Sequence, residues 1–566
     1  MGEDSLHVGE MFGGVGGFRL GLEGPPSKDW ETEFLKFEET GFKVVWSNQW
    51  EPPSSKTKSK SKKKPRGVKR RCNCLTYRGE QCLKEEYGIP EGGFCKKHAE
   101  MYREGAQWAS EVYVERFGNE GHHGCDIHKF TRKVEDTHQI PQLDLLVGGF
   151  PCQDYSVART VSGELGIKGD KGKLWEPIWR IISRSHANRT RHRPKLILLE
   201  NVPRLLNSPA NARGLNFSVI LKRLLGMGYE VEWRVIHADD YSFPQQRDRV
   251  FIIAYRTEGR NRAQSTTNGP GHFGLQRKDA KGKSMRRWIF GEYSECAEED
   301  GEIGPFAEAF PAKFEVLKER SEIPEIEELS HRQSPFGSAG YAWSATGIKL
   351  QNGKRGSRKV FKSWKAIPIK EAPRTIRDIM VQKNEQNYDE SYEVVKAELE
   401  KWRYEKGAKK EYRIRKDDLK IHPKLAPIYE KCKKSKSQKV WDKYQSRFED
   451  ILGTDGSYKY EEGKMSLTDS IDKPSRTVVT AEIGKSASRM RHLIKHDDGT
   501  YRTLFPIETE RLNMFPDNWT KMNDEKGKQI PDSKRGFMMG NALVVGIIQR
   551  LREPIRELIL RRRDHS

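Results

Sequence analysis

Two short apolar runs in this chain end abruptly in polar tips, and few folds can use both. Leu145-Leu146-Val147-Gly148-Gly149-Phe150 stops at Pro151-Cys152-Gln153, and Leu196-Ile197-Leu198-Leu199 stops at Glu200-Asn201-Val202. Continuous apolar runs of this length read as strands buried on both faces, as in parallel sheets covered by helices. Such a sheet gathers the carboxyl ends of its strands at one edge, where ligands bind. A thiol and a carboxyl group would then share one cleft, as nucleophile and proton-handling partner.

The surrounding pattern agrees. His7 to Phe12 reads as a strand, Gly13-Gly14-Val15-Gly16-Gly17 as a turn, and Phe18 to Glu23 as the start of a helix. Strand, glycine turn and helix form a unit that lets backbone approach a ligand closely. Residues 42–51 form the next strand, with polar and aromatic residues at its tip. From Trp108 the spacing predicts helix 108–117, a strand tip near Asp126-Ile127, strand 143–149, helix 174–186, strand 196–200, helix 215–226, and strands 229–236 and 249–255. This alternation predicts an α/β fold, a doubly wound and mostly parallel sheet. After residue 257 the alternation fades, and 257–470 reads as a second domain of mixed structure. Near the C-terminus Val544, Ile548, Leu551, Ile555 and Leu558 mark one helix face, with Pro554 expected to kink or interrupt it.

Bulk composition narrows the partners. With 566 residues the chain exceeds one ordinary core. Its net charge of +22 favours a polyanion, because each Lys or Arg that neutralises a phosphate releases a counterion. No window of about 18 residues is apolar enough to span a membrane, and the segment around Glu3 and Asp4 reads as no signal peptide. Four of the eight cysteines fall between Cys72 and Cys95, a concentration that points to metal in a reducing compartment. Cys74, Cys82, Cys95 and His98, separated by seven, twelve and two residues, supply four zinc ligands, with Cys72 as a spare. An insert of this size lacks its own core, so zinc would be structural and would supply folding energy. A basic low-complexity run, residues 56–71, precedes it and reads as a linker or arm.

In order along the chain, Phe12-Gly13-Gly14-Val15-Gly16-Gly17-Phe18, Pro151-Cys152-Gln153, Glu200-Asn201-Val202, Gln246-Arg247-Asp248-Arg249-Val250-Phe251 and Gly540-Asn541-Ala542-Leu543-Val544 resemble the ordered motifs of the DNA (cytosine-5)-methyltransferases. The resemblance spans residues 6–257 and 470–560. It implies an S-adenosylmethionine-dependent, Rossmann-like methyltransferase in which Cys152 adds to carbon 6 of a flipped cytosine. Glu200 would hold ring nitrogen 3 and the amino group, Arg249 the O2, and Arg247 a phosphate or the active loop. For the cofactor it implies Phe12, Gly14, Val15, Gly16 and Gly17 around the methionine and ribose, and Trp50 on the adenine face. Asp126 and Ile127 would read the adenine edge, with Pro151 and Asn541 completing the pocket.

Residues Gln153 to Lys173, polar and studded with glycine, would close over the flipped base. The partition that follows is 1–53 and 105–256 for the catalytic domain, 54–104 for the basic linker and zinc insert, 257–470 for target recognition, and 471–566 for the return to the catalytic domain. Arg355, Arg358, Lys359, Trp364, Arg374 and Arg377 lie in the recognition region and suit major-groove readout.

Some positions depart from the family. Glu10-Met11-Phe12 replaces the usual Asp-Leu-Phe, Ala542-Leu543 the usual Ser-Val, and Gln49 stands where an acidic residue usually meets the ribose. Glu51 could take over that duty. The expectation is a prokaryotic, cytoplasmic, nucleoid-associated monomer acting on double-stranded DNA, with no membrane association, of restriction-modification or orphan type, alongside a possible cognate restriction endonuclease. An RNA (tRNA) cytosine-5 methyltransferase and an inactive DNA-binding scaffold are the alternatives.

Overall fold

The computed structural model describes residues 5–51, 69–71, 85–87, 107–132, 137, 140–150, 175–188, 193–209, 212–256, 274–278, 284–288, 304–320, 329, 333–349, 355–414, 457–523 and 529–560. Cys72, Cys74, Cys82, Cys95 and His98 lie outside the described residues, as do Pro151, Cys152 and the segment from Gln153 to Lys173.

Ten strands form one sheet. In chain order they are β1 (Leu6–Met11), β2 (Phe42–Asn48), β3 (His122–His123), β4 (Leu145–Gly149), β5 (Leu196–Asn201), β6 (Tyr229–His237), β7 (Asp248–Arg256), β8 (Ala312–Arg320), β9 (Ala339–Lys349) and β10 (Arg355–Pro368). Across the sheet the order is β8-β10-β9-β6-β7-β5-β4-β1-β2-β3. Strands β3, β2, β1, β4 and β5 run parallel. The chain moves outward from β1 to β2 and β3, then returns to the other side of β1 for β4. The switch point thus lies between the carboxyl ends of β1 and β4, where a doubly wound sheet opens a crevice.

Alternating residues of the parallel strands feed two separate cores. Leu196 and Leu198 face one and Ile197 and Leu199 the other, and Leu145 and Val147 are likewise split from Leu146. Helices α1 (Gly17–Glu23), α2 (Trp108–Phe117) and the C-terminal α5 (Val545–Leu560) cover the first face. The second is covered by α3 (Trp175–Asn188) and α4 (Leu215–Gly226). The C-terminal helix is not interrupted at Pro554, which is buried inside it. A proline there has no N–H for the helical ladder, yet Ile555, Leu558 and Ile559 beyond it remain buried against the core. No described helix is long and apolar enough to cross a membrane.

Two expectations change. The tip near Asp126 is not a strand end: β3 is His122–His123, and Asp126 caps a helical turn, Ile127–Phe130, by accepting from the His128 N–H at 2.9 Å. The expected boundary at residue 257 does not end the sheet either, because β8, β9 and β10 widen it antiparallel beyond β6. A separate lobe has its core in Ile376, Ile379, Met380, Ile471, Val478, Ile494, Leu504 and Leu512. Leu399, Trp402 and Leu493 join it through an adjoining cluster. Packing therefore runs straight across the expected boundary at 470.

Candidate active site

The turn after β1 is built for close approach. Phe12 has φ of 56°, an uncommon conformation for a bulky residue and one that concentrates at functional sites. Gly16, at φ 87°, admits no side chain, since a Cβ there would stand 2.2 Å from the Phe117 ring. Two side chains from elsewhere pin the turn. Gln49 Oε1 accepts from the Gly14 N–H at 2.8 Å, and the buried Trp519 Nε1 donates to the Val15 carbonyl at 2.9 Å. Leu543, two residues past Asn541, packs where a Cβ on Gly17 would be 3.2 Å from it. Asn541 itself is exposed at a helix end, its amide donating to the Phe537 carbonyl.

Behind the turn Glu10 is fully buried, and burial pushes its carboxyl up to about 7. Tyr113 donates to it at 2.8 Å and stacks on His122. The Arg19 guanidinium lies near both Glu10 and Tyr113 and lowers the carboxyl in part. His122 is held between Ser47 and Ser110, and burial lowers it to about 4, so it is neutral near pH 7. These groups form a rigid polar support beneath the turn.

The end of β2 sits beside this turn. Asn48, buried, donates to the carbonyls of His123 and Cys125, which sets Asp126 and Ile127 next to Gln49 and Trp50. Glu51 is committed elsewhere: its carboxylate accepts from the Ala109 N–H in the first turn of α2. An adenosine-bearing methionine derivative fits these residues. A Cβ on Gly14 would enter open space, and the buried Trp50 indole N–H has no acceptor among the described residues.

The acid and base candidates meet at the neighbouring strand ends. Antiparallel pairing sets Phe251 of β7 opposite Glu200 of β5. Arg249 Nε then reaches Glu200 Oε1 at 2.6 Å, with both side chains only about one-seventh exposed (15% and 14%). Glu200 Oε2 leans over the end of β4, 3.1 Å from where a Cβ on Gly149 would be. Asn201 donates to the Phe150 carbonyl at 3.0 Å, fixing how the chain leaves β4.

Of the two roles expected of Arg247, a phosphate contact does not fit its enclosure, and the active-loop contact falls on residues outside those described. Arg247 is buried, 1% exposed, and donates to the carbonyls of Val478 at 3.1 Å and Gly540 at 2.9 Å. A guanidinium so enclosed ties three chain segments together and cannot meet a phosphate. Gln245 adds to the tie, accepting from Val478 N–H and donating to Leu512 and Asn513. Several residues expected to read DNA are also engaged or misplaced. Trp364 is buried, Arg374 pairs with Glu33, and Arg377 pairs with Asp472 and Asp497.

Trp519, Gln245, Asn201 and the Glu10–Tyr113 pair were not singled out from the sequence as site-building residues. Trp519 had a signal in the turn-forming Pro516-Asp517-Asn518 before an aromatic. Gln245 and the pairing of Glu10 with Tyr113 had none, whereas Asn201 stood in the Glu200-Asn201-Val202 motif without a role of its own. Among the described residues no group of three or more His, Cys, Asp or Glu could hold a metal ion.

Comparison with known proteins accords with this geometry. Residues 92–329 and 343–557 match the family described as C-5 cytosine-specific DNA methylase. The chain is 32% identical over 557 residues to the type II methyltransferase M.Sau3AI of Staphylococcus aureus, covering 98% of this chain and 96% of that protein. It is 37% identical over 149 residues to the type II methyltransferase M1.ScrFI of Lactococcus lactis subsp. cremoris, 26% of this chain and 33% of that one. The crystal structure of S. pombe Dnmt2 methyltransferase superposes with a TM-score of 0.44 at 13% identity, covering 98% and 99% of the two chains, too loose a likeness to carry weight. The chain belongs to the C-5 cytosine-specific DNA methylase family and is a DNA (cytosine-5)-methyltransferase.

Proposed function

We propose that the chain transfers a methyl group to carbon 5 of a cytosine flipped out of duplex DNA, with Cys152 as nucleophile. The observation that carries this reading is the Glu200–Arg249 pair at 2.6 Å, poised over the strand end that leads to Cys152. When bound, S-adenosylmethionine supplies the methyl on a positively charged sulfur. Phe12, Gly14 to Gly17, Gln49, Trp50, Asp126, Ile127, Pro151 and Asn541 would hold it.

Carbon 5 of cytosine is a poor nucleophile until a thiolate adds to carbon 6 and turns the ring into an enamine. Cys152 forms that bond. Glu200 holds ring nitrogen 3 and the amino group, while Arg249 keeps the carboxylate aimed and contacts O2. Loss of the carbon 5 proton then expels the thiolate and restores the ring. Since a stacked base is out of reach, the residues from Gln153 to Lys173 close over the flipped nucleotide.

The insert holds one structural zinc on Cys74, Cys82, Cys95 and His98, supported by their spacing. Metal analysis should return about one zinc per chain, and an intact chain without zinc rejects that site. The protein acts as a monomer in a prokaryotic cytoplasm, and its type II relatives support work beside a restriction endonuclease. Bisulfite sequencing of DNA from expressing cells tests the activity and reads the target. Protected cytosines at one recurring sequence are expected. Fully converted DNA with protected cytosines in tRNA would favour RNA instead.

A further inference from the structure

Between Arg476 and Ile494 the chain forms neither helix nor strand, yet it is held from end to end. Buried groups close the base of this loop. The Glu482 carboxylate accepts from the His492 N–H at 2.6 Å, and the His492 ring stands 3.0 Å from Ser475 Oγ. The buried Lys406 ammonium donates to the Arg491 carbonyl at 2.8 Å. Inside the loop the Arg491 guanidinium donates to the Ala481 carbonyl at 3.1 Å and to the carbonyl and hydroxyl of Ser486 at 2.7 and 2.6 Å. Gly484, at φ 146°, makes room for it, since a Cβ there would stand 2.8 Å from that guanidinium. Arg489 donates to the Gly407 carbonyl at 3.0 Å, anchoring the returning limb. A loop closed at its base and packed on its own side chains presents a fixed outer face.

The base of the loop lies at the active-site edge. Ser475 and Arg476 pair in parallel with Gln245 and Gln246, and Thr477 Oγ1 donates to the Gln246 carbonyl. Arg247 takes the Val478 carbonyl, two residues before the Arg249 that meets Glu200. Just beyond, the backbone of Val479 and Thr480 packs so closely on Gly540, the neighbour of Asn541, that no side chain fits there. The loop therefore leaves the core between the Glu200–Arg249 pair and the helix end that carries Asn541. What it turns outward is polar, for Thr480, Lys485 and Ser486 are all exposed. Its one acid, Glu482, is buried.

We propose that Thr480, Lys485 and Ser486 are specificity-determining residues that meet base edges next to the flipped cytosine. Recognition then extends past the expected boundary at 470. The chemistry suits the place: a hydroxyl can donate to or accept from a base edge, and an ammonium suits the O6 and N7 acceptors of guanine. Arg374 and Arg377, expected to read DNA, are held by acids, whereas this loop turns no acid outward. Arg491 fixes the backbone on both sides of Lys485, so the reading groups are held in place before DNA arrives. The inference rests on the proposed action on duplex DNA and not on the chemistry assigned to Cys152.

The test selects the duplexes that the full chain binds, with S-adenosylhomocysteine present, from a pool randomised around one cytosine. The parent should return one consensus. Thr480→Ala, Lys485→Met and Ser486→Ala should each lose about five- to hundredfold of the discrimination at one or two positions. The remaining positions and the unfolding midpoint should match the parent. Variants that return the parent's consensus at every position overturn the proposal, even where affinity falls, because a uniform loss marks a phosphate contact. A parent that returns no consensus overturns it together with the proposed action on a DNA target.

Discussion

Gln49 and Trp519 show how single side chains shape a glycine-rich backbone from outside it. They bond consecutive residues of the glycine turn, Gly14 through its N–H and Val15 through its carbonyl. Gln49 also explains why an amide can stand at this position. Its oxygen already serves the turn, so its NH₂ is what remains to donate to a ribose hydroxyl. Trp519 sits 504 residues from Val15 and is wedged among Trp30, Phe117 and Phe515. Trp519→Phe removes the donor and leaves part of a fully buried indole site unfilled. It should weaken S-adenosylhomocysteine binding about five- to tenfold, the worth of one hydrogen bond, and lower the unfolding temperature as well. Titration calorimetry would show this, and an unchanged affinity would mean that Val15 needs no such tie.

At the scale of elements, the start of β7 separates two arginines that the sequence could not. Both Arg247 and Arg249 are charged residues beside a strand start, and the family resemblance placed Arg249 on the pyrimidine O2 and Arg247 on a phosphate or the active loop. Arg249 faces the cleft and meets Glu200. Arg247 is enclosed by segments near 478 and 540, contacts at sequence separations of 231 and 293 that no local pattern encodes. The two should fail differently. Arg247→Met leaves two buried carbonyls without a donor and should cost about 2–5 kcal/mol of stability. Arg249→Lys should leave the unfolding midpoint nearly unchanged while slowing methyl transfer by tenfold or more, because a lysine lacks the planar fork that holds a carboxylate. Denaturant melts and single-turnover rates on both variants decide it. Equal stabilities would refute the structural role of Arg247.

Across the whole molecule, legibility followed the two-faced burial of the strands. Strands β4, β5 and β7 and helices α2, α3 and α4 fall within two residues of expectation, because their apolar runs have one consistent period each. The widening strands were missed because Lys and Arg interrupt them, with Lys362 and Lys365 flanking the buried Phe361 and Trp364. The packing of the second lobe was not legible because its core joins Ile376 and Trp402 to residues about a hundred positions later, such as Leu493 and Leu504. Glu200 and the glycine turn could be singled out because their signals are local, whereas Gln245 and Trp519 position the chain across long sequence separations. On the proposed function, these strand ends, the cofactor turn and the Cys152 segment act together on one cytosine. Duplex DNA with 5-fluorocytosine at the target blocks loss of the carbon 5 substituent, so the enzyme should stay bonded to it. Incubated with S-adenosylmethionine, the parent chain should give a covalent complex stable to denaturing electrophoresis, and Cys152→Ser should give none. A covalent complex that persists in Cys152→Ser would contradict the account.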